Sequence, residues 1–284
     1  MKNILFPTDF SAPAQNAFHY ALNVAHALGA SITTLHVYSK PDVSAIHLPP
    51  SLRQEYDRID VEEFENYRSE VPSLTDVARQ IGRENVEIRH AMQAMVKKFK
   101  VHEVIVKYAR EHGYDLIVMG THAHNEVEDA LFGSTAESVM EAATVPVLVV
   151  PDSAKSDGRL DHIAMAYNFE PEAERHVEDF LHFTDPFNGT LELVHIDTSH
   201  TEDLVHRMDS IKRRFATNER IQFRVIDGDD LVEAFGEYAH ANDIDILALF
   251  SERRGFFEEL FHYNKAKKLV ETADVPVLAI PKRS

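Results

Sequence analysis

Residues 115–151 read DLIVMGTHAHNEVEDALFGSTAESVMEAATVPVLVVP, and residues 245–281 read DILALFSERRGFFEELFHYNKAKKLVETADVPVLAIP. The two stretches are 37 residues long, lie 130 residues apart and align without a gap. Each reads as an apolar strand, a loop, a helix and a second apolar strand entered through Val-Pro-Val. One unit is therefore used twice. The loops differ: the first copy has Gly120 and Gly133-Ser134 where the second has Phe250 and Tyr263-Asn264.

Outward from these segments the same order repeats. The apolar run 2–6 stops at the breaker and cap cluster Pro7-Thr8-Asp9-Phe10-Ser11. Apolar residues then recur at helical spacing from Pro13 to Leu28, with Gly29 as the C-cap. Strands are expected over 31–38 and 86–92, with a polar surface helix over 50–71 between them. Helix 101–112, strand 115–119, helix 134–143 and strand 146–150 complete the first copy. The second copy reads strand 162–167, helix 171–183, strand 190–196, helix 201–217, strand 221–226, helix 230–241, strand 245–250, helix 264–273 and strand 275–280. His36 and His195 occupy equivalent places in the second strand of each copy, where a hydrogen-bonded structural role is expected. Residues 152–158 lack apolar periodicity and read as a linker between domains 1–151 and 159–284.

A chain of 284 residues suits two such domains. Strands alternating with helices predict an α/β fold: two tandem doubly wound domains, each a five-stranded, mainly parallel sheet flanked by helices. The net charge of −18, with no basic stripe, argues against nucleic-acid binding. No apolar run approaches the ~20 residues that span a bilayer, so no membrane partner is expected. The N-terminus is broken too soon by Pro7 and Asp9 for a signal peptide, and there is no cysteine. A cytoplasmic location is the resulting expectation.

In doubly wound sheets ligands bind beyond the carboxyl ends of the strands, where strand order reverses. That rule selects the loops Pro7–Ser11 and Gly120–Ser134. Gly120 follows an apolar strand, where backbone can approach a ligand without a Cβ in the way. Gly133-Ser134-Thr135 opens a helix whose amides and dipole favour an anion. The same residues form a capping box, Ser134-x-x-Glu137, which stabilises a helix start with no ligand at all. The two readings are compatible.

These features together resemble the universal stress protein family. The family's G-x2-G-x9-G-S/T motif is met by Gly120, Ala123 and Gly133-Ser134 at the same spacing, and its aspartate after the first strand by Asp9 in PTDFS. The likeness extends over nearly the whole chain, including LHV in the second strand and the VPVLVV ending, so the chain resembles a tandem member. The resemblance implies an adenine nucleotide alpha hydrolase-like fold that binds an adenine nucleotide, ATP or AMP, with Mg2+ as a candidate companion ion. It assigns Asp9 to the nucleoside, and Pro7, Val37 and Met119 to packing against adenine. Gly120, Gly133, Ser134 and Thr135 would hold ribose and phosphates. Ala123 stands where the family has its second glycine. It strains the loop by about 1 kcal/mol if that position needs a positive φ, or narrows the phosphate pocket if the glycine gives clearance.

The intervening loop carries Glu126, Glu128 and Asp129 with no lysine or arginine from 121 to 136. These carboxylates either face solvent or call for a divalent cation beside a triphosphate. His122 and His124 form an H-x-H pair without an identified third ligand, so no metal site is assigned. In the second copy Asn168 replaces Asp9, while Phe250, Arg253, Tyr263 and Asn264 replace Gly120, Ala123, Gly133 and Ser134. Phe250 and Tyr263 are expected to fill the nucleotide's space, which leaves one site per chain and a structural or regulatory second copy.

The functional expectation is a stress-response protein that binds ATP or AMP in its first domain and acts through conformation or partner choice. The alternative is a nucleotide-independent interaction scaffold. Slow ATP hydrolysis is a third reading; no Ser-His-Asp phrase, Walker A lysine or phosphate-side arginine supports an enzyme. The resemblance also implies that the last strands of the two copies pair within the chain, covering apolar edges. A homodimer of the tandem is a further expectation.

Overall fold

The fold is seen in a computed structural model that describes residues 1–43, 48–96, 99–121, 134–167, 169, 173–197, 204–251 and 274–281. The first half runs β1 (Asn3–Pro7), α1 (Ala12–Leu28), β2 (Ser31–Lys40), α2 (Pro50–Gln80), β3 (Ile88–Val96), α3 (Val101–Glu111), β4 (Leu116–Thr121), α4 (Ser134–Ala142) and β5 (Val147–Pro151). The second runs β6 (His162–Ala166), α5 (Ala173–Thr184), β7 (Thr190–Asp197), α6 (Leu204–Arg214), β8 (Ile221–Asp227), α7 (Leu231–Ala241), β9 (Ile246–Ser251) and β10 (Val277–Pro281). The helix expected over 264–273 lies outside the described residues. Among the described residues, no helix is long and apolar enough to cross a membrane.

The strands form one ten-stranded sheet in the order β3-β2-β1-β4-β5-β10-β9-β6-β7-β8. Every neighbouring pair is parallel except β5 and β10, which run antiparallel. Parallel strands need helical crossovers, and these cover both faces. Along β4, Leu116 and Val118 face α1 and α2, whereas Ile117 and Met119 face α3 and α4. The second half repeats the division, with Ile246 and Ala248 toward α5 and α6 and Leu247 and Leu249 toward α7.

Local chemistry explains the element ends. Ser11 caps α1, its hydroxyl accepting from the Ala14 amide. Gly29 ends the helix at φ 60°, a left-handed conformation that an alanine adopts only with strain. The surface helix expected to stop near residue 71 instead continues to Gln80 through Pro72. A proline inside a helix removes one backbone bond and costs about 3 kcal/mol. Burial of Leu74 and Ala78 against the sheet offsets that cost, a tertiary term that Pro72 conceals in the sequence.

Two aspartates hold corresponding strand starts. The Asp115 carboxylate accepts the Lys2 and Asn3 amides at 2.7 and 3.1 Å. Asp245, 130 residues later, accepts the Asp161 and His162 amides at 2.9 and 2.8 Å.

Candidate functional site

Strand order reverses between β1 and β4, and a pocket of about 310 Å³ opens there at the carboxyl ends of the strands. One wall is aliphatic: Leu35 and Val37 of β2, Val101 and Ile105 of α3, and Met119 of β4. The other is polar: Thr8, Asp9 and Ser11 from the loop after β1, Thr121 at the end of β4, and Thr135 in the first turn of α4. Pro7, Pro13, Gly120 and Ala136 complete the lining. The N-terminal turns of α1, α3 and α4 all border it, so the positive ends of three helix dipoles lie beside one cavity. That field favours an anion in a protein whose net charge is −18.

The loop after β1 is held in an unusual conformation. Phe10 has φ 62°, which costs an L-residue about 1–2 kcal/mol. Its ring sits 5.8 Å from His36 and 5.4 Å from Tyr67, between centroids. His36 Nδ1 lies 3.2 Å from the Thr8 carbonyl oxygen, and its Nε2 lies 3.7 Å from a Glu63 carboxylate oxygen on α2. The strained turn exposes Asp9, whose Oδ1 accepts the Ser11 amide at 3.0 Å. The same device recurs in the second half, with Phe169 at φ 57° and His195 Nδ1 2.8 Å from the Tyr167 carbonyl oxygen. Both histidines thus have the hydrogen-bonded structural role expected of them.

Six of the nine expected site residues meet at this pocket: Pro7, Asp9, Val37, Met119, Gly120 and Thr135. Ser134 begins α4, while Ala123 and Gly133 lie outside the described residues, as do His122, His124, Glu126, Glu128 and Asp129. Two expectations need correction. A Cβ built on Gly120 would lie 2.5 Å from the Pro13 carbonyl oxygen, so this glycine admits the start of α1 rather than making room for a ligand. Phe250 likewise does not occupy the space corresponding to the pocket. Alternation along β9 turns it to the α5 face, where its ring stacks on His176 at 4.4 Å. Tyr263, Asn264, Arg253 and Asn168 lie outside the described residues.

Sequence reasoning missed Thr121. Its side chain is 3% exposed, and its hydroxyl has no hydrogen-bond partner among the described residues. A buried hydroxyl without a partner costs about 1–3 kcal/mol, and here it borders the pocket. The signal was available, because Thr121 lies two residues beyond Met119 and so shares its face. Leu35, Val101 and Ile105 were also missed. Leu35 lies two residues before the expected Val37 and shares its face, whereas Val101 and Ile105 come from α3, which only its packing on the sheet brings to the pocket.

A family model described as the universal stress protein family matches residues 1–151. A universal stress protein of Methanocaldococcus jannaschii is 31% identical over 158 residues, covering 52% of this chain and 94% of that protein. Universal stress protein A homolog 1 of Coxiella burnetii is 29% identical over 151 residues, covering 52% and 95% respectively. Among solved structures, a universal stress protein from Archaeoglobus fulgidus matches with a TM-score of 0.69 at 19% identity, over 99% of this chain and 96% of its own. At that identity the likeness concerns the fold, and it spans both halves of the sheet. With a family match over more than half of its length, the chain belongs to the universal stress protein family.

Proposed function

We propose that this protein binds an adenine nucleotide, ATP or AMP, in the pocket between β1 and β4, and that occupancy alters its conformation or choice of partner in a cytoplasmic stress response. The carrying observation is the pairing, in one cavity, of an aliphatic wall with a polar wall that ends at helix N-termini. The aliphatic side suits a purine: Leu35, Val37, Ile105 and Met119 supply flat apolar contact, with Pro7 below. Asp9 keeps one carboxylate oxygen for a ribose hydroxyl after accepting the Ser11 amide. Phosphates extend toward the start of α4, where Thr135 and the amides of the first turn lie, with Gly133 and Ser134 joining them by the family motif. The Thr121 hydroxyl gains the hydrogen bond that it lacks. With no lysine or arginine among the described lining residues, a divalent cation such as Mg2+ would balance a triphosphate.

The second half is read as another unit of the same family, residues 159–284, without the nucleotide site. In this reading β5–β10 pairing unites the two units within one chain, and any homodimer forms through other surfaces. Calorimetric titration with ATP, with and without Mg2+, tests the proposal on wild type and Asp9→Ala. One site per chain is expected, weakened at least about tenfold in the variant, a loss near 1.4 kcal/mol. Absence of heat at millimolar ATP under both conditions would sink the nucleotide reading in favour of a scaffold.

A further inference from the structure

Beside the β5–β10 seam, on the face covered by α1 and α5, the two halves form a pair of corresponding junctions. In one, α1 meets the segment around Asp245 and Asp274; in the other, α5 meets the segment around Asp115 and Thr144. The first junction is covered by the linker. Asn16 on α1 donates from Nδ2 to the carbonyl oxygens of Pro151 and Ala154 at 3.1 and 3.0 Å, and Ser153 donates to Asp274 at 2.6 Å. Ala154 and Leu160 are buried there, at 3% and 5% exposure, in the same core cluster as α1. The linker occurs once, so it covers one junction only. At the other a cavity of about 420 Å³ opens against α5 itself, whereas the cavity of about 750 Å³ beside Asp245 and Asp274 is lined by the linker and by no residue of α1.

The residues that correspond across the two junctions differ in chemistry. Asn16, Ala21, Val24 and Gly120 beside the linker correspond to Arg175, Phe180, Phe183 and Phe250 at the cavity. The three phenylalanines form a buried aromatic floor, with Phe180 and Phe250 edge to face and Phe180 stacked on Phe183. At the rim stands Arg175, exposed and without an ion pair among the described residues. The acidic group opposite, Asp115, is already engaged by two backbone amides.

We propose that this junction is a second binding site, specific for a small amphipathic anion. An aromatic or compact apolar body would lie on the Phe180–Phe183–Phe250 floor, and a carboxylate, sulfonate or phosphate would face Arg175. The site is separate from the nucleotide pocket and does not rest on that reading.

The test uses 1-anilinonaphthalene-8-sulfonate as the probe, titrated by fluorescence into the full chain. Saturable binding of one probe per chain is expected, unchanged by millimolar ATP. Arg175→Glu should weaken it at least about tenfold. Thr144→Trp, an exposed position whose ring would close the mouth, should abolish it, with thermal melting unchanged in both variants. Binding equal to wild type in both variants, competitive displacement by ATP, or no saturable binding at all would each overturn the proposal. So would a tenfold rise in affinity on removing residues 282–284, the counterparts of Asp152–Ala154, which would make the chain's own tail the occupant.

Discussion

Leu148 on β5 lies directly opposite Leu278 on β10, its own counterpart 130 residues later in the chain. Val147 meets Ala279 and Val149 meets Val277, so the register is the same read from either strand. A local two-fold axis therefore passes between the two leucines. Each half supplies the same edge, and neither last strand leaves unpaired backbone groups at the centre of the sheet.

Both leucines are buried, at 0% and 1% exposure, and both belong to one core cluster that continues across the seam. Leu148→Ala and Leu278→Ala should each cost about 2–5 kcal/mol, equal within about 1 kcal/mol. Urea unfolding should retain a single transition in both variants, because the cluster is shared. Two separated transitions, or strongly unequal losses, would contradict a common core.

At Gly120 the constraint is the neighbouring helix rather than φ. A methyl group there meets backbone, the Pro13 carbonyl carbon and oxygen at 2.7 and 2.5 Å, which cannot rotate away. Gly120→Ala should therefore lower stability by about 1–3 kcal/mol through displacement of the α1 start. Chemical denaturation gives the stability loss. Calorimetry should show weaker ATP binding as well, since Ser11 and Pro13 line the same pocket.

Thr121→Val should separate stability from binding. Valine keeps the shape and removes a hydroxyl that is buried without a partner among the described residues, so the ligand-free protein should gain about 1 kcal/mol. If that hydroxyl serves a nucleotide, affinity should fall roughly three- to tenfold in the same variant. Melting without ligand and ATP titration, run on one preparation, decide the matter. Unchanged affinity would remove Thr121 from the site.

Burial raises the Asp245 carboxyl to about 6, against the lowering effect of its bonds from His162 and Asp161 and with further raising by the charges of Asp157 and Asp161. A folded-state value above the unfolded one, about 3.9, means that the folded protein holds this proton more tightly. The associated stability is complete below about pH 4 and is lost as pH rises through about 6. Partial exposure to solvent reduces it to about 1 kcal/mol. In urea unfolding from pH 4 to 7, wild type should lose about this much more than Asp245→Asn, with the difference developing between pH 4 and 6. Parallel curves would show that Asp245 does not titrate in that window.

Strand and helix identity was legible in the sequence because it depends on spacing over a few residues. The continuous apolar run of Leu116 to Met119, the cap at Ser11 and the stop at Gly29 all work locally. The end of α2 was misplaced near residue 71 for the complementary reason: Pro72, a local breaker, is outweighed by burial against a sheet distant in the chain. The pocket was half legible. Residues adjoining the strand ends, such as Asp9 and Gly120, could be read from motif and topology. Val101 and Ile105 could not, since only the packing of α3 on the sheet brings them to the pocket.

The sequence by itself showed two 37-residue stretches that align without a gap, the divergence of their loops, and which family the first 151 residues resemble. These conclusions need only residue identity and short-range periodicity. Tertiary structure alone decided that Leu148 meets Leu278 and that Phe250 turns toward α5 rather than the corresponding pocket face. It also decided that the Thr121 hydroxyl has no hydrogen-bond partner among the described residues, and that the linker packs on α1 while a cavity opens against α5. Each of these depends on face, register or contact between residues far apart in the chain, and such relations exist only once the sheet has formed.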